Sequence, residues 1–298
     1  TCVVIGGGPT GVELAGAIAE LATFVLASDF RAIHSDATRV VLVEGSDRVL
    51  SGFDPALSAS AAKSLNEMGV EIRTGLRVTA MDEDGVTCGN ERIAASTVLW
   101  AAGVRGSGLS QKIGLPVDKQ GRALVEQDCS IAQHPEVFVI GDAAAFIPTG
   151  GTHGLPGVSP VAMQQGRFVA RQISRSLHGA PRQRFKYVDK GSMATIGRSR
   201  AVAQIGKLQL SGFLAWMAWL CVHIFYLIDF RNRVVVLMDW AWAYFAYRRG
   251  SRLITGHRLQ AGAVAVAPVA SAAPAPSAAP AATAAPTSEG KSASASAS

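Results

Sequence analysis

Apolar runs and amphipathic stretches alternate through the first hundred residues. Cys2–Ile5 is a short apolar run that ends in GGGPTG, and a helix-like stretch follows from Gly11 to about Phe30. The next strand is RVVLVE, Arg39–Glu44. Asp54 and Pro55 read as an N-cap followed by proline at the first helical position, and Gly69 as the glycine that closes that helix. Short alternating pieces at Val70–Thr74, Arg77–Met81 and Gly85–Thr87 predict strands joined by turns. TVLWAAG, Thr97–Gly103, predicts a further buried strand running into a glycine turn. This β-α-β-α order predicts an α/β fold, with a mostly parallel sheet covered by helices.

Beyond Gly103 the pattern changes. A loop-rich stretch leads to EVFVIGDAAAF, Glu136–Phe146, read as an all-apolar strand ending in Gly-Asp. A Gly/Pro-rich loop and a helix from about Val158 to His178 follow. FKYVD, SMATIG and RAVAQIG, within residues 181–207, predict short strands. From Leu208 to Ile228 the chain is Trp-rich and strongly apolar, long enough to span a bilayer, for which about 20 residues are needed. The second apolar run, Val234–Tyr247, is too short and carries Asp239. Residues 261–298 are nearly all Ala, Pro, Ser and Thr; too little apolar area is available there to offset the ordering entropy, so disorder is expected. The pattern divides the chain into 1–105, 106–180, 181–260 and 261–298.

Composition narrows the class. Of 298 residues 49% are hydrophobic and 17% charged, a globular balance. The net charge of +6 fits an anionic membrane or a nucleic acid. The four cysteines, Cys2, Cys88, Cys129 and Cys221, form no CxxC, which argues against a zinc ribbon and a disulfide-stapled scaffold. No metal site is expected. The chain opens on Thr1 and runs at once into a strand with no signal peptide ahead of it, so the reading expects a preceding segment.

Gly6-Gly7-Gly8-Pro9-Thr10-Gly11 fits G-x-G-x-x-G between a strand and a helix. Gly6 permits the tight turn, Gly8 lets backbone approach a pyrophosphate, and Gly11 lets helix and strand pack closely; the phosphates then sit at the helix N-terminus. Glu44 ends the second strand, farther on than the usual ~20 residues. A carboxylate there accepts from ribose hydroxyls and repels a 2′-phosphate, favouring NADH over NADPH, although Arg48 lies close enough in sequence to soften that preference. The alternative is a glycine turn beside a surface Glu44. Glu13, read as lying in the first helical turn, is either a carboxylate favoured by the helix dipole or a group near the reacting rings. Gly141 and Asp142 end an apolar strand where open α/β sheets bind ligands, so Asp142 either accepts from a sugar or polyol hydroxyl at a second nucleotide site or faces solvent in a turn.

GGGPTGVELAG, VLVEG, TVLWAAGV, VFVIGDAAAF and PVAMQQGRFVA, in this order, resemble the two-dinucleotide flavoprotein family. MATIGRSRAVA followed by a Trp-rich apolar C-terminus is similar, more narrowly, to the type II, non-proton-pumping NADH:quinone dehydrogenases, over residues 1 to about 258. The resemblance implies a Rossmann unit for NADH and the returning part of a second one for FAD. Hydride would pass from NADH to FAD, and electrons then to a membrane quinone. It implies that Gly6–Gly11 and Glu44 hold NADH, that Glu13 lies near the nicotinamide and the quinone, and that Ala101, Ala102 and Gly103 line the nicotinamide side. Gly141, Asp142, Ala143 and Met163 fall to the FAD side, and the helix after Pro160 aims its N-terminus at the flavin. The sequence departs from the family in two respects. The opening FAD fingerprint is absent, so the chain as given is not expected to hold FAD alone. SPVAMQQ also places Pro160 where the first glutamine of the quinone motif falls. Gln164 remains as a candidate for a quinone carbonyl, against a plainer reading of Gln164 and Gln165 as helix-surface amides.

Residues 208–258 carry Trp216, Trp219, Trp240 and Trp242, with Arg231, Arg233, Arg248, Arg249, Arg252 and Arg258. That set suits interfacial rings and anionic headgroups, and predicts two helices lying in one leaflet. Lone His223 reads as interfacial. The expected site is the cytoplasmic face of the cell inner membrane. A buried helix pair in a homodimer is the competing arrangement, and nucleic acid is not an expected partner. Other functions remain open. A disulfide reductase would end in a soluble dimerisation domain. A sulfide:quinone reductase would need a cysteine at the flavin face, where neither Cys88 nor Cys129 is well placed. A non-catalytic NADH-binding membrane protein would lack flavin absorbance.

Overall fold

The apolar runs of the first hundred residues become four parallel strands because both faces of their sheet are covered. β1 (Cys2–Ile5) leads into α1 (Pro9–Glu20) and a π-helical turn at Leu21–Leu26; β2 (Val40–Val43) leads into α2 (Pro55–Glu67). After β3 (Val70–Arg73) come three antiparallel strands, β4 (Val78–Asp82), β5 (Gly85–Cys88) and β6 (Glu91–Ala94), and then β7 (Thr97–Trp100). The main sheet has the order β3-β2-β1-β7, every pair parallel. Alternate residues divide between two cores. Val4, Val40 and Leu42 pack with Val12, Ala15, Leu57 and Leu65 of the helices. Val3, Ile5, Val41 and Val43 pack with Val86, Cys88 and Ile93 of the β4–β6 layer. In this computed structural model residues 1–26, 38–227 and 229–246 are described, all within one compact unit, Thr1–Arg249.

The second half is less regular. α3 (Leu109–Lys112) is a single turn; β8 (Ala123–Leu124) pairs with β11 (Ala144–Ala145), and β9 (Ser130–Ile131) with β10 (His134–Phe138). α4 (Ser159–Leu177) closes this region over Cys129, Phe146, Val169 and Phe185, with Phe146 and Phe185 edge to face at 5.3 Å. The antiparallel sheet β12 (Ser192–Gly197), β13 (Arg200–Ile205) and β14 (Leu208–Ser211) returns to the first core, where Ala194, Ile196 and Val202 join Val4 and Leu42. α5 (Gly212–Tyr226) and α6 (Phe230–Ala246) follow.

Several expectations need correction. The first helix ends at Glu20 and passes into the π-helical turn; its expected end near Phe30 lies outside the described residues. β6 is an unforeseen strand. β7 is an edge strand, not a buried one, and Trp100 is 52% exposed. Glu136–Phe146 is not one buried strand: β10 is mostly exposed with a single partner, Gly141–Ala143 is a 3-10 turn, and only Ala144–Ala145 pairs again. FKYVD forms no strand. Leu208–Ser211 belongs to a sheet, which shortens the first apolar helix to 15 residues. At about 1.5 Å per residue that helix is roughly 22 Å long, short of a ~30 Å hydrocarbon core. Among the described residues no helix is long and apolar enough to cross a membrane. The expected disordered tail, and Arg248, Arg249, Arg252 and Arg258, lie outside the described residues.

Candidate functional site

The glycine loop is built by contacts that leave no room for a side chain. Gly6 has φ +106°, and a Cβ there would come within 2.8 Å of the Ala101 and Ala102 backbone, so glycine lets the ends of β1 and β7 touch. The Ala101 N–H donates to the Ile5 carbonyl at 2.8 Å across the same junction. A Cβ on Gly11 would lie 1.7 Å from the Gly6 oxygen, whereas one on Gly8 would meet nothing within 4 Å. The loop is therefore closed behind and open in front. Gly8 caps α1 without a side-chain acceptor, and Pro9 follows. The first-turn amides of Thr10 and Gly11 thus have no helical carbonyl to bond and sit at the positive end of the helix dipole.

Glu44 stands directly against this loop. Its Oε2 accepts a short hydrogen bond from the Gly7 N–H and its Oε1 accepts from the Ser46 N–H at 2.7 Å. The Gly7 carbonyl accepts from the Leu50 N–H at 2.7 Å, so the loop after β2 grips both backbone groups of Gly7. Partial burial pushes the Glu44 pKa up, but donors from Ser46, Gly7 and Gly45 more than offset this and hold it below the usual carboxylate range. Arg48 turns back on its own loop, donating to the Ser51 carbonyl at 3.1 Å and lying 3.6 Å from Asp47.

Glu13 is not in the first turn of α1, which starts at Pro9 and has no acidic residue there. It lies in the second turn and faces β12, where its Oε1 accepts from both the N–H and the Oγ of Thr195 at 3.2 Å. Ala101 is half-buried and Ala102 and Gly103 are exposed at the end of β7, beside Gly6. The Trp100 indole donates to the Ala102 carbonyl at 3.1 Å.

The Gly141–Asp142–Ala143 turn is seated on α4. Gly141 has φ +64°, and its N–H donates to Gln165 Oε1 at 2.7 Å. Gln165 is 1% exposed, so it is not a helix-surface amide. Asp142 is exposed; a Cβ on Gly157 would sit 3.3 Å from its Oδ1, so Gly157 keeps the opposite side of the carboxylate clear. Met163 is half-buried one turn into α4, its sulfur 3.5 Å from the Ser159 hydroxyl that donates to it. Gln164 is also engaged, its Nε2 donating to the Val188 carbonyl at 2.9 Å and its Oε1 accepting from the Val188 N–H at 3.0 Å. The structure thus brings Gly6–Gly11 together with Glu44 and Ala101–Ala102, and Gly141 together with α4, while Glu13 and Gln164 bond to Thr195 and Val188. The sequence reading gave no role to two residues: Gln165, weighed only as a helix-surface amide, and Thr195. Gln165 had a signal, because Val161 and Val169 lie four residues to either side and mark the buried face of the helix. Thr195 had none.

Among the described residues no group of three or more His, Cys, Asp or Glu could hold a metal ion, and all four cysteines are free. Burial pushes the Cys129 thiol up to about 12, with the nearby Asp128 charge adding to it, which leaves it inert. Burial also raises Cys88. At the C-terminal end Trp219 stacks on Trp240 at 5.6 Å and pins α5 to α6. The pair is apolar yet outward-facing: Leu214 is 69% exposed, Phe225 66% and Met238 67%, while in α5 only Ala215 is buried.

Residues 1–166 match the family model for pyridine nucleotide-disulphide oxidoreductases, and residues 190–249 match that for the NDH2 C-terminal domain. The chain is 41% identical over 278 residues to the type II NADH:quinone oxidoreductase NdhA of Mycobacterium tuberculosis, covering 89% of this chain and 58% of that protein. It is 31% identical over 272 residues to the mitochondrial internal alternative NAD(P)H-ubiquinone oxidoreductase A1 of Arabidopsis thaliana, covering 85% of this chain and 52% of that one. The chain therefore spans about half the length of the curated relatives it matches. The structure of NDH2 from Plasmodium falciparum in complex with NADH has the same fold, with a TM-score of 0.75 at 17% identity over 84% of this chain and 67% of that one.

Proposed function

The chain belongs to the pyridine nucleotide-disulphide oxidoreductase family, and from that premise we propose that it is the NADH-binding and quinone-facing portion of an FAD-dependent NADH:quinone oxidoreductase. The observation that carries the reading is the open glycine loop at Gly8 with the Glu44 carboxylate fixed against Gly7. In this reading residues 1–105 are the NADH unit, 106–180 the returning part of the FAD unit, and 181–260 the part that meets the membrane.

The cradle fits a dinucleotide. The space in front of Gly8 admits a pyrophosphate, whose charge the Thr10 and Gly11 amides neutralise. Glu44, held as an anion, accepts from the ribose hydroxyls and repels a 2′-phosphate. Ala101, Ala102 and Gly103 have no bulky side chain and leave the end of β7 open to the nicotinamide. The donor set on α4 fits FAD: Asp142 accepts from the ribityl hydroxyls, Gly141 and Ala143 keep the approach free, and Met163 packs beside it. The N-terminus of α4, which has no side-chain cap, favours negative charge on the flavin pyrimidine edge. A bound FAD would supply the acceptor for the NADH hydride and the donor for the quinone. Over the whole reaction NADH, a proton and a quinone give NAD⁺ and a quinol. In this reading Glu13, its Oε1 held by the Thr195 N–H and hydroxyl, is the acceptor nearest the nicotinamide and the quinone.

The exposed apolar faces of α5 and α6 favour immersion in one leaflet, because contiguous patches of this kind are rare on soluble monomers. Arg233, whose guanidinium lies 5.6 Å over the Phe225 ring, adds charge at the edge of that face. In this reading the attachment is peripheral, on the cytoplasmic face of the inner membrane, with a second copy of the chain as a candidate partner. Steady-state oxidation of NADH by a short-chain quinone, in the full-length protein, tests the reading. Gln164→Ala should slow quinone reduction and leave flavin reduction by NADH intact. Equal loss in both half-reactions would assign Gln164 to holding Val188 alone.

A further inference from the structure

We infer that Gln165 is a positioning residue for the flavin-binding turn, setting Gly141 and through it the carboxylate of Asp142. The inference rests on the reading of Asp142 as a flavin ligand. Gly141 must adopt φ +64°, and the chain reaches it from Ile140, at the end of a stretch whose β10 strand has a single partner. Sheet pairing resumes only at Ala144–Ala145, so strand partners flank the turn without reaching Gly141. What meets it instead is α4. Gln165 Oε1, on a side chain 1% exposed, accepts the Gly141 N–H at 2.7 Å across 24 residues. One turn earlier, Ala162 Cβ lies 3.1 Å from where a Gly141 Cβ would stand, so the helix touches the turn on a second side. A buried glutamine between Val161 and Val169 is otherwise an awkward choice, since an aliphatic side chain would fill that face without a polar group to satisfy. The bond to Gly141 gives it a purpose. It fixes the Ile140–Gly141 peptide, one residue before Asp142, whose exposed carboxylate lies beside Gly157, just ahead of the α4 N-terminus.

The test uses the full-length protein and compares Gln165→Leu, which removes the acceptor, with Gln165→Glu, which in its protonated form retains a carbonyl oxygen at the same reach. Two quantities are read: the FAD dissociation constant, with the circular dichroism of the bound flavin, and hydrogen exchange at the Gly141 amide in flavin-free protein. Gln165→Leu should weaken FAD at least tenfold, alter the flavin dichroism and speed Gly141 exchange by a similar factor. Affinity for a non-reducible NAD analogue should stay at the wild-type value, and Gln165→Glu should recover most of the FAD affinity. Wild-type FAD binding and Gly141 exchange in Gln165→Leu would overturn the inference. Parallel loss of FAD and NAD-analogue binding would also overturn it, because that marks a general packing role. A wild-type protein that holds no flavin would overturn the functional reading beneath it.

Discussion

Glu44 is the residue on which the choice of dinucleotide turns. Its two oxygens are held by the Gly7 and Ser46 amides, so the charge is in place before a ribose arrives. Glu44→Gln should raise KM for NADH about tenfold or more, the equivalent of roughly 1.5–3 kcal/mol for hydrogen bonds to a charged group, and should narrow the gap to NADPH. Unchanged KM values for both dinucleotides would make Glu44 a loop residue only. The same variant has a pH signature. The folded pKa of Glu44 lies below its unfolded value, near 4.3, so its stabilising contribution is fully present above that pH and is lost as pH falls through the lower folded value. The difference in thermal midpoint between wild type and Glu44→Gln should be largest at neutral pH and fade in acid. At this scale the glycines and Glu44 were legible because their spacing is itself the geometry of the turn. Thr195 was not, since only tertiary packing brings it to Glu13 from 182 residues away.

At the scale of elements, α1 lies so close to β12 that a Cβ on Gly16 would stand 1.7 Å from the Ile196 carbonyl oxygen. In an exposed helix, Gly→Ala stabilises by up to about 1 kcal/mol. Here the contact reverses the sign, and Gly16→Ala should destabilise by about 1–3 kcal/mol, the range for forcing atoms into a packed interior. A urea titration checks this, and a raised midpoint would mean that α1 and β12 separate freely. The helices were readable from their caps: Asp54 accepts from the Ala56 N–H, and Gly69 takes φ +82° after α2. The strands were less so. Periodicity reports which residues are apolar, not which neighbour pairs with them, and FKYVD illustrates the limit. Val188 has the side chain of Gln164 where a strand partner would be, and the Phe185 N–H donates to the Gln127 carbonyl at 2.7 Å. Leu208–Ser211 failed in the opposite direction, an apolar stretch drawn into a sheet by β13.

At the scale of the molecule, the C-terminal sheet packs into the same core as the glycine-loop strand, and α5 leaves that sheet at Gly212. The boundary for removing the two apolar helices is therefore Gly212 and not Leu208, since β14 completes the sheet. Deleting 212–258 should release most of the protein from membranes and leave NADH oxidation with a water-soluble acceptor. High salt alone should release little, because the apolar faces contribute about 0.8 kcal/mol per buried CH₂ and only the arginine part, roughly 1 kcal/mol per residue, is screened. Retention of the deleted form on membranes would place the anchor elsewhere in the protein.

The most direct test of the central claim is anaerobic reduction of the purified full-length protein, followed by its flavin absorbance. NADH should bleach the flavin rapidly and NADPH far more slowly, and a quinone added afterwards should restore the absorbance in one equivalent. A flavin that NADH bleaches but that only a disulfide, and no quinone, reoxidises would contradict the account.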